Sequence, residues 1–174
     1  MKRNLSGNIS QWQNDLAKNG YTIVELQLPD QLISFVRDEK YKEIDDLFQD
    51  LTSKHGDLYK FFNDFVDLKY IEFIISLRES KNDWEEDGIW HDDGSRALAF
   101  SLSLSPEPPK NGGVLEIRKK GETQSIKIPT PPYGTAIIFQ TGRHFYEHKI
   151  NAVTEGKRLI IAGWCYDSKS DSFL

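Results

Sequence analysis

Two histidines in this chain have an acidic residue two positions further on. His91 is followed by Asp93, and His55 is followed by Asp57. On a β-strand, residues i and i+2 point to the same side, so a histidine and a carboxylate at this spacing can reach one metal ion. Each pair is therefore a candidate for two ligands of a metal centre whose third ligand comes from elsewhere in the chain.

The neighbouring residues distinguish the two pairs. His55 precedes an apolar pattern of helical period, where Asp57 is better interpreted as a helix N-cap. His91 and Asp93 precede the turn at Gly94 and then a strand-like alternation. Two histidines and one carboxylate on one face of an octahedral ion leave three positions open, which is the arrangement that a non-heme Fe(II) centre needs to bind O₂ and a second ligand. We expect His91 and Asp93 to belong to such a centre.

Composition limits the classes of protein to consider. The chain has 174 residues, of which 38% are hydrophobic and 12% aromatic, and this predicts one soluble globular domain. The net charge of -5 lacks the basic excess of a protein that binds nucleic acid, so no nucleic acid is expected as a partner. The single cysteine, Cys165, excludes an intramolecular disulfide. Neither an apolar run of membrane-spanning length nor the apolar segment of a signal peptide is present, which predicts no membrane association and a cytoplasmic location.

The N-terminal half, about residues 8–80, has a helix-rich pattern. Ser10 is predicted to cap a first helix that ends near Gly20, and a β-branched run at residues 21–24 predicts a short strand. Two further helical patterns follow, one from residue 28 onwards and one after residue 57.

The C-terminal half, about residues 85–167, has short strands separated by turns rich in proline and glycine. Within residues 96–105, one predicted face is Leu98, Phe100, Leu102 and Leu104, and the other is Ala97, Ala99, Ser101 and Ser103. This texture predicts a sandwich or jelly roll. We therefore predict a single domain, residues 1–174, in which the helix-rich half supports the β-rich half.

Several motifs follow one another at characteristic spacing between residues 88 and 167. They are Trp90-His91-Asp92-Asp93, the alternating run 96–105, Gly112-Gly113-Val114-Leu115, the run 132–139, and the run from His148 through Arg158 to Trp164. In order and spacing this half resembles the prolyl 4-hydroxylase-like branch of the Fe(II)/2-oxoglutarate-dependent dioxygenases. The resemblance implies a mainly β fold: a double-stranded β-helix (jelly roll, cupin-like) with the N-terminal helices packed on one sheet.

The resemblance also implies roles for particular residues. The iron ligands would be His91, Asp93 and His148. Arg158 would pair with the C5 carboxylate of 2-oxoglutarate, and an arginine fork suits a carboxylate bidentately. Ser103 falls where many relatives have a tyrosine that hydrogen-bonds the same carboxylate, while Leu115 and Trp164 would form apolar walls of the pocket.

The implied activity is hydroxylation of a prolyl or other protein residue, or of a small molecule, with release of succinate and CO₂. Fe(II) would be the cofactor, 2-oxoglutarate and O₂ the co-substrates, and ascorbate a further requirement that stays open. The carboxylate at Asp93 favours hydroxylation over halogenation, because relatives that halogenate lack it. The substrate and the oligomeric state stay open.

Alternatives remain at each of these positions. His144 could replace His148 if both lie on one strand face, Asp93 could be a turn residue, and Arg158 could be a buried ion-pair partner. The acidic run 79–87 is either a solvated loop or a lid over the site. At the level of function, the alternatives are a cupin-type metal-binding enzyme or binding module and a non-catalytic interaction domain.

Overall fold

The computed structural model describes residues 8–80 and 86–170. Its helices are α1 (Ile9–Asn19), α2 (Leu32–Arg37), α3 (Tyr41–Thr52) and α4 (Asp57–Asn63). Its strands are β1 (Tyr21–Glu25), β2 (Leu68–Glu79), β3 (Leu98–Ser103), β4 (Asn111–Gly112), β5 (Leu115–Lys119), β6 (Ile126–Ile128), β7 (Thr135–Phe139), β8 (Tyr146–Ile150), β9 (Val153–Glu155) and β10 (Lys157–Asp167). None of the helices in the described ranges combines the length and apolar character needed to cross a bilayer.

The strands form two main sheets. The major sheet has the order β1-β7-β3-β10-β2, and the minor sheet has the order β6-β5-β8. Every pairing within these sheets is antiparallel. A short β4-β9 pair forms a third, two-stranded sheet.

The two faces of β3 pack against different layers, as the alternation predicts. Phe100 and Leu102 belong to a core that the major sheet shares with the N-terminal helices, where the rings of Phe62 and Phe100 stack with centroids 4.5 Å apart. Ala99 faces the other way, into a smaller core shared with Leu115 of the minor sheet. The predicted fold, a jelly roll with helices against one sheet, is confirmed.

The first helix ends where the sequence predicts but begins differently. Gly20 takes a left-handed conformation with φ +80° and its N–H donates to the carbonyl of Leu16, which closes α1. Ser10 lies inside the helix, and Asn8 occupies the N-cap position. The predicted cap is therefore wrong, whereas the strand at residues 21–24 is confirmed as β1.

The helical interpretation of the N-terminal half is wrong for residues 68–79, which form β2. This strand pairs along its length with β10 at the edge of the major sheet. Its odd-numbered residues, such as Phe73 and Ile75, pack towards the helices, while Ser76 and Arg78 point towards the other face. The β structure therefore begins well before residue 85.

Candidate active site

The two candidate ligand histidines are cross-strand neighbours. The N–H of His91 donates to the carbonyl of His148 at 3.0 Å, and the N–H of His148 donates to the carbonyl of His91 at 2.8 Å. Three residues earlier, the N–H of Gly88 donates to the carbonyl of Ile150 at 2.7 Å. The segment that leads into His91 thus runs along the edge of β8 that does not pair with β5. This arrangement holds the two imidazole rings with centroids 4.4 Å apart.

Asp93 joins this pair of histidines. One potential ligand atom each from His91, Asp93 and His148 lies within 4.8 Å of the others, and Nε2 of His148 is 3.7 Å from Oδ2 of Asp93. Bonds from a transition metal to imidazole nitrogen and carboxylate oxygen are about 2.1 Å long. Two atoms bound to one ion in adjacent octahedral positions therefore lie roughly 3 Å apart, so side-chain shifts of about 1–2 Å would bring all three atoms onto one ion.

His148 carries the protonation state that coordination requires. Burial, reinforced by the neighbouring His91, lowers the pKa of His148 to about 3, so its imidazole is neutral at neutral pH. Nδ1 of His91 lies 3.1 Å from the carbonyl oxygen of Ile89. When Nδ1–H donates to this carbonyl, the lone pair of Nε2 is left for a metal, an arrangement typical of histidine ligands.

The carboxylate of Asp93 is buried in a way that suits a bound cation. Burial raises its pKa, while a hydrogen bond from Trp164 and the proximity of His91 and Arg96 act in the opposite direction. Its Oδ2 atom is buried and has no hydrogen-bond partner within the described residues. Because an unpaired buried oxygen of this kind is costly, a metal ion is the natural partner for it. The three residues therefore fit a metal ion.

The competing histidines lie elsewhere. His55 is exposed between α3 and α4, and Asp57 is the first residue of α4, with Gly56 at the N-cap position. His144 is exposed in a 3₁₀ turn, Gly142–His144, that precedes β8. The possibility that His144 shares a strand face with His148 is therefore wrong.

A cavity of about 110 Å³ connects the three ligand-type residues with Arg158. On this measure a water molecule needs roughly 10–15 Å³, so the space accepts a small organic acid. Leu115 and Trp164 line it, together with Ile74, Ser76, Arg78, Glu86, His91, Asp93, Ala99, Phe100, Ser101, Phe139, His148, Ile150, Arg158, Ile160, Ala162 and Gly163.

Arg158 brings a buried positive charge to this cavity. Its side chain is among the largest that are fully enclosed, at 2% exposed. Nε donates to Oγ1 of Thr130 at 3.2 Å and Nη2 donates to Oγ of Ser101 at 3.1 Å, and no carboxylate of the described residues forms an ion pair with it. Burial, together with the nearby Arg78, lowers the pKa of Arg158 to about 9, so it stays charged at neutral pH. This cation therefore favours an anionic ligand.

The hydroxyl that contacts Arg158 belongs to Ser101, not to Ser103. Both lie on the cavity-side face of β3, but Ser103 pairs in register with Ile160, next to the base of the Arg158 side chain. Its Oγ is buried and has no hydrogen-bond partner in the described part of the chain. Thr130, in the turn between β6 and β7, is not among the residues that the sequence predicts, and no sequence signal marks it.

Gly113 gives the Arg158 side chain its room. A Cβ atom at residue 113 would lie 2.9 Å from Cδ of Arg158, and the backbone there has φ +67°. The carbonyl of Gly113 also accepts a hydrogen bond from the Thr130 hydroxyl at 3.0 Å. Both the missing side chain and the left-handed conformation require glycine at this position.

Part of the acidic run is tied to the major sheet. Asp87 forms a buried ion pair with Arg78, which is the direct cross-strand neighbour of Arg158. This contact holds the chain just before His91 against β2. Residues 81–85, which include Trp84, lie outside the described ranges, so the choice between a loop and a lid stays a prediction.

Comparisons with known proteins agree with this geometry. A family model described as the 2OG-Fe(II) oxygenase superfamily matches residues 50–166. A PKHD-type hydroxylase from Hyphomonas neptunium is 33% identical over 75 residues, which cover 43% of this chain and 31% of the relative. The chain thus spans about a third of the length of this curated relative.

Solved structures share the fold at low sequence identity. A prolyl-4-hydroxylase from Pseudomonas putida superposes with a TM-score of 0.64 at 17% identity, covering 91% of this chain and 98% of that one. The non-heme alpha ketoglutarate dependent epimerase SnoN from nogalamycin biosynthesis superposes with a TM-score of 0.67 at 13% identity, covering 94% of this chain and 84% of that one. The same fold therefore carries out more than one reaction, and the residues of the site must decide which.

Proposed function

Because the chain belongs to the 2OG-Fe(II) oxygenase superfamily, we propose that it is an Fe(II)- and 2-oxoglutarate-dependent dioxygenase that hydroxylates its substrate. One observation carries the proposal: three ligand-type side chains and a buried arginine without a carboxylate partner among the described residues line the same cavity. A cupin-type metal protein would need the histidines, but it would have no use for Arg158 in this position.

In the proposed assignment, Fe(II) is held by His91, Asp93 and His148. When bound, it supplies the redox centre at which O₂ oxidises 2-oxoglutarate to succinate and CO₂ and oxygenates the substrate. Arg158 binds the C5 carboxylate of 2-oxoglutarate through its guanidinium fork. The hydroxyls of Ser101 and Thr130 orient this guanidinium, since each accepts one of its hydrogen bonds.

The remaining wall residues keep the site dry. Leu115, Ile160 and the ring of Trp164 line the cavity between the ligand-type residues and Arg158. A dry site strengthens the attraction between a guanidinium and a carboxylate, because little water is left to screen it. The uncharged imidazole of His148 can coordinate without first losing a proton.

The substrate proposed is a prolyl or other protein residue, with a small molecule as the second possibility. The name of the Hyphomonas neptunium relative and the Pseudomonas putida prolyl-4-hydroxylase fold support a hydroxylase. A carboxylate at Asp93 supports hydroxylation, because a halogenase must leave that coordination position for halide. A cytoplasmic location and a single domain over residues 1–174 are part of the same proposal, whereas the requirement for ascorbate stays open.

Anaerobic titration tests the proposal. Fe(II) and 2-oxoglutarate added together should produce a weak visible charge-transfer band, and neither should produce it alone. His55→Ala is the matched control for His91→Ala: the first should keep the band and the second should lose it. If no band forms in the wild-type protein with both ligands present, the dioxygenase assignment is wrong.

A further inference from the structure

Arg96, three residues after Asp93, is held in a well-defined position next to the candidate metal ligands. Its guanidinium carbon lies 5.4 Å from the ring centre of Trp164 and 5.5 Å from that of Tyr166. Nη1 donates to the backbone carbonyl of Asp93 at 2.8 Å, and Nε donates to the hydroxyl of Tyr166, also at 2.8 Å. One planar cation thus connects the turn that carries Asp93 with the end of β10.

Tyr166 is itself fixed by the edge strand of the major sheet. Its hydroxyl donates to Oε2 of Glu72 at 2.7 Å, and its ring stacks on Tyr70 with centroids 4.4 Å apart and an interplanar angle of 14°. The arrangement continues on the other side of Arg96, where Trp164 hydrogen-bonds the carboxylate of Asp93. Asp93 is therefore held at its carbonyl by Arg96 and at its side chain by Trp164.

We infer that Arg96 is a positioning residue for the metal site, which fixes the Asp93 turn so that the carboxylate faces His91 and His148. The inference rests on the proposed function, because it takes Asp93 as a metal ligand. Arg96 donates to neutral oxygens of Asp93 and Tyr166, although an arginine at the surface usually pairs with a carboxylate. Lysine could not replace Arg96 fully. Its ammonium is a compact point charge, whereas the planar guanidinium donates to two acceptors in different directions and packs against the rings of Trp164 and Tyr166.

Arg143 offers a matched control. It lies near the same end of β10 and donates bidentately to Asp167 at 2.7 and 2.8 Å. Like Arg96 it is a partly buried arginine whose loss should cost stability, but its side-chain hydrogen bonds within the described residues go to Asp167 and not to Asp93. A merely structural arginine should behave as Arg143 does.

The test uses Co(II), whose visible spectrum reports the geometry of its ligands. Arg96→Gln should weaken Co(II) affinity by roughly 10–100-fold, the usual effect of losing a group that supports a metal ligand, and should shift the Co(II) absorption bands. Arg143→Gln should lower the thermal stability of the metal-free protein and leave both the affinity and the spectrum unchanged. Arg96→Lys should recover part of the lost affinity.

Two results would overturn the inference. One is a Co(II) affinity and spectrum in Arg96→Gln that match those of Arg143→Gln. The second result concerns Tyr166→Phe, which removes the hydroxyl between Arg96 and Glu72 and is the variant to use if Arg96→Gln does not fold. This variant should weaken Co(II) binding several-fold. Unchanged Co(II) binding in Tyr166→Phe would contradict the positioning role of Arg96. A wild-type protein that binds no Co(II) is a different failure, because it rejects the metal site itself and the inference with it.

Discussion

Replacing Arg158 with glutamine should change stability and co-substrate affinity in opposite directions. The fall of the Arg158 pKa from 12.5 to about 9 means that the empty protein holds this charge at a cost on the order of a few kcal/mol. Glutamine removes the charge and can still hydrogen-bond a hydroxyl, but it loses part of the packing. We expect the metal-free variant to be more stable by about 1–2 kcal/mol, or roughly 2–8 °C in Tm for a chain of this size.

The affinity for 2-oxoglutarate should fall in the same variant. A hydrogen bond to a charged group contributes about 1.5–3 kcal/mol, and the guanidinium can donate two to one carboxylate. Allowing for one neutral hydrogen bond from glutamine, the net loss is about 3 kcal/mol, which is on the order of a 100-fold weaker Kd. Denaturation of the metal-free protein measures the first effect, and anaerobic titration of the Fe(II) form with 2-oxoglutarate measures the second.

The control for this experiment is again Arg143→Gln, in which the partly buried carboxylate of Asp167 loses its partner. That variant should be less stable than the wild type and should bind 2-oxoglutarate normally. If Arg158→Gln behaves in the same way, losing stability and keeping its affinity, then Arg158 is a structural residue and the reasoning about an unpaired cation is wrong.

Three further predictions concern separate parts of the molecule. His91→Ala should lower Fe(II) affinity by at least 100-fold in anaerobic titration, while His55→Ala should leave it unchanged, because only His91 lies in the ligand group. Phe62→Ala should reduce the free energy of unfolding by about 3–5 kcal/mol through the cavity it leaves under the major sheet, with normal Fe(II) binding in the fraction that stays folded. The Arg143 guanidinium lowers the pKa of Asp167 from 3.8 to about 2. This ion pair therefore stabilises the fold fully above pH 4 and loses its effect as the pH falls through about 2. In acid denaturation, the difference in stability between the wild type and Asp167→Asn should vanish over that range.

The faces of β3 could be predicted from the sequence because they depend only on local alternation. Along β3, large apolar residues such as Phe100 alternate with small residues such as Ser101. The large residues face the core shared with the helices, and the small residues face the cavity and the minor sheet. The ten-residue step from His148 to Arg158 is recognised through the resemblance to the dioxygenases, and in the structure it runs through the end of β8, all of β9 and the start of β10. These features do not need distant partners to be recognised.

The strand β2 carries a local signal that the helical interpretation of this half overlooks. Apolar residues at positions 71, 73, 75 and 77 alternate with the polar residues Glu72, Ser76 and Arg78, and the stretch is rich in β-branched and aromatic residues. Leu68 also continues the apolar pattern of α4, which favours extending the helical interpretation into this strand. The pairing partner cannot be read locally, because β10 lies about ninety positions later in the chain.

The contact of Arg158 with Ser101, which lies two residues before the predicted Ser103, could not be read from the sequence for a related reason. A period of two puts both hydroxyls on one face, but the atom that reaches them is the end of a long side chain that starts on another strand. The side chain of Arg158 extends past Ser103 to Ser101. How far along β3 it reaches depends on the register between β3 and β10 and on the space left by Gly113. Thr130 approaches the same guanidinium from a turn, where no periodic pattern exists.

The buried polar groups of this protein point to a function for its cavity. Oδ2 of Asp93, Nδ1 of His148 and Oγ of Ser103 are all buried without a hydrogen-bond partner among the described residues, and Arg158 adds a charge without a carboxylate. Each of these groups costs free energy in the empty protein, and an apolar residue at each position would fold more favourably. Proteins usually retain such unfavourable buried polar groups only at functional sites, where a bound ligand removes their free-energy cost. A cation beside Asp93 and a dicarboxylate beside Arg158 would remove the two largest, and these are the ligands that the proposed reaction needs.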